Sequence, residues 1–268
     1  MDKHRARYLR ARILVTGFII ILVSLSANAV TPHDELTASW QSYAADRTTI
    51  EPAFKFPHAT CFRAAALQYD LPESLLLAVA RGESDFEETA RSRANAHGVM
   101  QILWPGTAKH LGIHRLSDLY DPCTNIDAGS RYLKELLKTY DGNLHLALAA
   151  YNYGPGRIAK NATSIPDGAV WYSGYIYRHL NYVLGNNGTV RKAPDTLYSD
   201  IGQSTLITFG EPYRAEAFIL RLEKSSPNLS LDWFRRGTGE FEVVLTYASR
   251  EEFDNSARLL GGAGFRLD

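Results

Sequence analysis

Apolar positions recur at helical spacing through the middle of the chain and alternate near its end, which divides it into two kinds of structure. Residues 59 to 69 carry one amphipathic period. Leu71 to about Ser84 carry a second, with Asp70 as its expected cap and Pro72 in its first turn. "TNIDAGSRYLKELLKTY" sets Ile126, Tyr132, Leu133, Leu136 and Leu137 close to helical spacing, and "LHLALAAYN" follows the Asp141-Gly142 turn. In the last quarter "TLITFG" and "LSLDWF" read as strands, separated by a helix with Ala215, Phe218, Ile219 and Leu222 on one side. "EFEVVLTY" alternates Phe241, Val243, Leu245 and Tyr247. A capping box from Ser249 to Glu252 then opens a helix with Phe253, Ala257 and Leu260, and "GFRL" closes the chain as a short strand.

The expected fold is a mainly α domain over residues 58–190 and a small α+β domain over 205–268. The order of the second, βαββαβ, is that of a ferredoxin-like split βαβ sheet, which by itself assigns no function. Residues 191–204 are polar and read as a linker, and residues 30–57 lack a clear period and read as a loosely structured lead-in.

The first 29 residues differ from the rest. "MDKHRARYLRAR" holds five Lys and Arg, thirteen almost wholly apolar residues follow, and small residues stand at Ala27 and Ala29. That is the pattern of a secretory signal cleaved before Val30, which places the mature protein in the periplasm with no membrane span. The alternative is an uncleaved segment anchoring the protein in the inner membrane. Without these residues 24 basic side chains face 28 acidic ones, a balance that does not point to nucleic acid. The only two cysteines, Cys61 and Cys123, are expected to pair in an oxidising compartment. No His, Cys or Asp spacing suggests a metal, and no cofactor is implied.

Candidate chemistry starts at "LLLAVARGESDF". Leu76, Val79 and Glu83 project from one side of a helix, so a carboxylate stands where the pattern calls for a hydrophobe. Apolar neighbours and the negative end of the helix dipole both disfavour the charged form, so its pKa should rise. A carboxylic acid kept protonated near neutral pH is suited to general-acid cleavage of a glycosidic bond. Asp85, Glu87 and Glu88 follow in a polar run and read as solvated.

"ESDFEETARSRANAHGVMQILWPGTA" resembles the first two motifs of the soluble lytic transglycosylase family, whose catalytic domain is lysozyme-like and related to goose-type lysozyme. The matching residues are Glu83-Ser84, Ser92, Gly98-Val99-Met100-Gln101 and the turn Pro105-Gly106-Thr107-Ala108. "LYDPCTNIDAGSRYLKELL" resembles the family's Asp-Pro-x-x-Asn-Ile helix start, and "ALAAYNYGPGRI" its Ala-Tyr-Asn motif, at Tyr151 and Asn152. "YRHLNYVLG" is similar to the segment ending in a Tyr-Val pair, here Tyr182-Val183, with Tyr175 and Tyr177 as alternatives. Val99 replaces a usual Leu, Asn95 a common Gly, His179-Leu180 a Thr-Arg pair, and Trp104 is an extra residue before the proline.

The resemblance implies a peptidoglycan lytic transglycosylase that uses one glutamate, Glu83, as both acid and base. Glu83 would protonate the oxygen leaving from N-acetylmuramic acid. It would then take the proton of the same sugar's C6 hydroxyl as a 1,6-anhydro ring closes. Ser84, Ser92, Met100, Gln101, Tyr151, Asn152 and Tyr182 would bind or shape the site around glycan strands. A lysozyme-type muramidase on the same fold and a non-catalytic wall-binding scaffold are the alternatives; an envelope-spanning or division complex is the kind of partner the reading suggests. Residues 205–268 bear a fainter resemblance to the SPOR domain, which binds glycan stripped of peptide, with an unrelated docking module as the alternative.

Overall fold

The first helix, α1 (Pro32–Ala45), stands where the lead-in was expected to be loosely structured. One deep anchor replaces a periodic stripe. Trp40 is buried, donates to Ser173 Oγ at 2.9 Å and meets Tyr43 and Tyr177 edge-on, while Leu36 packs against Gly174. The computed structural model describes residues 32–45, 52–162, 164–186, 200–237 and 240–265. The basic and apolar start, the linker residues 191–199 and the end of the expected closing strand lie outside the described residues.

Helix α2 (Ala59–Tyr69) and helix α3 (Glu73–Ser84) meet at a corner that corrects the expected cap. Asp70 ends α2 instead of starting α3: its φ is 48° and its N–H returns to Ala66 O. Such a left-handed residue reverses the chain, and Pro72 then leads into α3 from an extended conformation. Every residue of α3 from Ser74 to Gly82 is buried, which makes it the central helix of the domain.

Around it lie a short hairpin, β1 (Ala96–His97) with β2 (Ile102–Leu103), and helices α4 (Gly106–His110), α5 (Pro122–Thr139), α6 (Leu144–Tyr153) and α7 (Asp167–Val183). Asp121 caps α5 by accepting from Thr124 N at 2.8 Å, with Pro122 in the first turn; Asn143 caps α6 through Leu146 N at 3.1 Å. Helices α3 and α7 run in close contact because Gly82 has no side chain: a Cβ there would sit 2.6 Å from Ile176 Cδ1.

Cys61 on α2 and Cys123 on α5 form a disulfide across 62 residues of chain. On the chain-entropy account, closing such a loop stabilises the fold by about 4 kcal/mol. Reduction should therefore shift the midpoint of a urea unfolding curve strongly downward; an unshifted midpoint would show that the bridge adds nothing.

Among the described residues, the C-terminal part holds a three-stranded antiparallel sheet in the order β3-β5-β4, formed by β3 (Gly202–Phe209), β4 (Leu231–Gly237) and β5 (Glu240–Tyr247). Helices α8 (Pro212–Ser225) and α9 (Arg250–Gly262) complete it. Strand β5 lies between β3 and β4, so β3, α8 and β4 make a split βαβ unit. Strand β3 begins inside the expected linker, its polar start concealed by the ring of Tyr247 folded over Gly202. Ser249 caps α9 as expected, accepting from Glu252 N at 3.1 Å while Glu252 reaches back to Ala248 N.

Leu222, Leu229, Leu245 and Leu260 form a small core of their own beneath the sheet. Trp233, Phe241 and Val243 instead join the main core of the helical part. The two parts share apolar packing, with Trp171 stacked on Tyr175 and Trp233 and meeting Phe241 edge-on. At the same junction Asp232 lies buried between Arg81 of α3, at 2.6 Å, and Arg178 of α7.

Candidate active site

Glu83 stands in the last turn of α3, just before Asp85 and Phe86 turn the chain back with φ of 54° and 68°. Its side chain is only 6% exposed. Tyr172 of α7 donates a hydrogen bond to Oε1, and the Arg235 guanidinium of β4 lies 3.6 Å from Oε2. Burial raises the carboxyl's pKa; the Arg235 charge and the Tyr172 hydroxyl oppose that rise without cancelling it. Tyr172 is held neutral far above the usual phenol range, first by burial and then by the Glu83 charge. The result is a carboxyl that keeps its proton to higher pH than a solvated one.

The loop after α3 forms the floor. Gly98 has φ of +75° and crosses so close to α5 that a Cβ would lie 2.3 Å from both Asn125 Nδ2 and Leu119 O. Asn125, fully buried, pins this crossing: it donates to His97 O and Leu119 O and accepts from Met100 N at 2.7 Å. Met100 lies on Gly129, where a Cβ would approach its own to 2.5 Å. Ser84 Oγ donates to Val99 O at 2.8 Å, Ser92 Oγ accepts from Ala96 N at 3.0 Å, and Gln101 Nε2 donates to Gly98 O at 2.9 Å and Ala90 O at 3.2 Å. Tyr151 donates to Met100 O at 2.8 Å. Ser84, Ser92 and Gln101 thus shape the loop while also lining the cavity, whereas Met100 and Tyr151 support it from below.

That cavity, of about 440 Å³, runs from Arg81–Asp85 past Ala90–Ser92 and Gln101 to Phe234–Arg236. One wall therefore comes from the C-terminal sheet. The Asn152 amide, turned with its oxygen toward β4, accepts from Arg235 Nη2 at 3.1 Å and Nη1 at 3.3 Å. Among the described residues no group of three or more His, Cys, Asp or Glu converges as metal ligands would.

Tyr182 stands away from Glu83. It is buried, stacks on Phe54 at 5.3 Å, and has the Arg81 guanidinium over its ring at 3.6 Å, so it belongs to the junction of the two parts. Tyr172 takes the place beside Glu83, ten residues earlier on the same helix. Of the two tyrosines offered as alternatives, Tyr175 donates to Gly82 O at 3.2 Å and Tyr177 meets Trp40. A helix with tyrosines on several faces does not reveal by spacing which of them meets the acid. Arg235 carries even less signal, because a basic residue in a short strand reads as solvated.

Residues 60–170 match the family described as "Transglycosylase SLT domain". The chain is 34% identical over 116 residues to the soluble lytic murein transglycosylase of Escherichia coli, a match covering 41% of this chain and 18% of that one. It is 35% identical over 127 residues to the transglycosylase of Enterobacteria phage PRD1, covering 47% and 44%. The crystal structure of the 70 kDa soluble lytic transglycosylase of Escherichia coli overlaps 49% of this chain and 24% of its own, at 28% identity and a TM-score of 0.44. The chain thus spans less than half the length of these relatives. The likeness to lytic transglycosylases is thus carried by residues 60–170, the stretch that matches the transglycosylase SLT domain.

Proposed function

We propose that the protein cleaves the β-1,4 bond between N-acetylmuramic acid and N-acetylglucosamine in peptidoglycan without consuming water, with Glu83 as its single acid and base. The observation that carries this reading is the Glu83 carboxyl itself: buried in a cavity wall, raised in pKa and hydrogen-bonded by Tyr172. In the first step its proton passes to the leaving glycosidic oxygen as the bond to the muramic C1 breaks, leaving Glu83 ionised beside Arg235. In the second, Glu83 takes the proton of the C6 hydroxyl while that oxygen bonds to C1, and the carboxyl returns to its starting form. The product is an anhydro sugar.

The neighbouring carboxylates support the single-residue reading. Asp85 accepts from Gln203 Nε2 at 3.0 Å, and Glu87 is turned to the Thr89 hydroxyl and N–H, which hold it below the usual carboxylate range. Glu87 does line the same cavity in its charged form, and that favours one second reading, a hydrolase in which it activates water. We assign the chain a cleaved export signal and a periplasmic site of action. The C-terminal module, SPOR-like in its split βαβ unit, would touch glycan through the wall that β4 supplies.

Mass analysis of sugars released from purified sacculi separates the readings. Ends one water lighter than reducing ends are expected; reducing ends alone would make the enzyme a muramidase.

A further inference from the structure

We propose that Arg235, supplied by the C-terminal module, is a positioning residue of the active site that fixes Glu83 and Asn152 and sets the proton affinity of Glu83. The proposal rests on Glu83 as the reactive group. Its geometry is that of a clamp: one guanidinium lies 3.6 Å from Glu83 Oε2 and makes two hydrogen bonds, at 3.1 and 3.3 Å, to the Asn152 amide oxygen. The planar fork suits this double engagement better than a point charge would.

The backbone beneath the clamp is fixed. Arg235 N donates to Tyr175 Oη at 3.0 Å, and that hydroxyl donates to Gly82 O, the residue before Glu83. Three positions earlier on β4, Asp232 is held by Arg81 and Arg178, and Trp233 is buried in the shared core. The strand is anchored on both α3 and α7, so the module sits as part of the site and not as a loose tether.

The other charges around Glu83 are directed elsewhere. From its own helix Arg81 is bound to Asp232; from β4 Arg236 pairs with Glu242 at 2.7 Å; from the floor loop Arg91 reaches Asn95 at 3.5 Å. Asp85 and Glu87 are engaged by Gln203 and Thr89. Helices α6 and α7 bring neutral phenols, Tyr151 and Tyr172, both held far above the ordinary range, first by burial. Among the described residues, Arg235 is the cation whose charge bears on the carboxyl, and its effect opposes that of burial. A group that must give a proton and then take one back works best with a pKa near the working pH, and Arg235 counters the rise that burial imposes.

The test is a titration of Glu83 by carbon NMR in the full chain, with Arg235→Gln and Arg235→Lys beside wild type, and a pH profile of sugar release for each. Arg235→Gln should raise the Glu83 titration by at least about one pH unit, and Arg235→Lys by less. The alkaline limb of activity, which reports loss of the acid's proton, should move up with it, and maximal turnover should fall about 10- to 100-fold. Arg235→Lys keeps the charge and should recover the pH profile more fully than the maximal rate. An unmoved titration in a folded Arg235→Gln would overturn the proposal, as would turnover faster than wild type, which would make Arg235 a lid on Glu83. Wild-type protein that releases no sugar would end the lytic reading, while the titration would still decide whether Arg235 governs Glu83.

Discussion

Asp232→Ala is expected to lower the unfolding free energy by about 3–5 kcal/mol, the range for removing one partner of a buried ionic group. Asp232 is buried between two guanidinium groups, and Arg81 is only 1% exposed. Without the carboxylate, the buried Arg81 guanidinium loses the anion that lies 2.6 Å from it, while its contacts with His179 and with the ring faces of Tyr182 and Phe234 remain. His179 cannot share the charge, because burial and then the arginines hold it neutral well below its ordinary range. Urea unfolding of wild type and variant reads the difference directly; a loss below about 1 kcal/mol would show the junction to be solvated.

The same carboxylate gives the junction a pH dependence. Burial alone would raise Asp232, but Arg178 and Arg81 outweigh it and hold the group down to about 2, from 3.8. Because the folded state binds this proton more weakly than the unfolded chain does, the stabilisation is complete above the unfolded value. It is lost as pH falls through roughly 4 toward 2. Wild type and Asp232→Ala should therefore converge in stability over that interval.

Glu83→Gln is expected to reduce sugar release by about 100- to 10,000-fold, the range for loss of a general acid or base. The amide keeps the size of the side chain and can still accept from Tyr172, so the fold should persist, with a thermal midpoint close to wild type. It has no acidic proton to give to a leaving oxygen. Its oxygen is also far too weak a base to take one from a hydroxyl, so both halves of the reaction fail together.

The inward placement of Glu83 was legible because a carboxylate interrupted the apolar face set by Leu76 and Val79, and burial shows that this face points inward. The capping box at Ser249 and the alternation of β5 were legible for the same reason: each is a local pattern with a local cause. What escaped depends on contacts between distant segments. Helix α1 is fixed by Trp40 meeting α7, a single anchor that leaves no period. Asp70 has the composition of a helix start, and only its left-handed backbone shows that it ends the helix before. Tyr172 and Tyr182 lie on one helix, and which of them meets the acid is decided by how α7 packs on α3. Arg235 reaches Glu83 from the far module, so no motif within the catalytic segment could contain it.

The central claim is that Glu83 carries the proton in both directions. Its most direct test is digestion of purified sacculi by wild type and Glu83→Gln at equal concentration, with the released sugars counted by mass. Anhydro ends from wild type, and at least about 100-fold fewer from the variant, is the predicted result. Anhydro ends released at an undiminished rate by Glu83→Gln would contradict it.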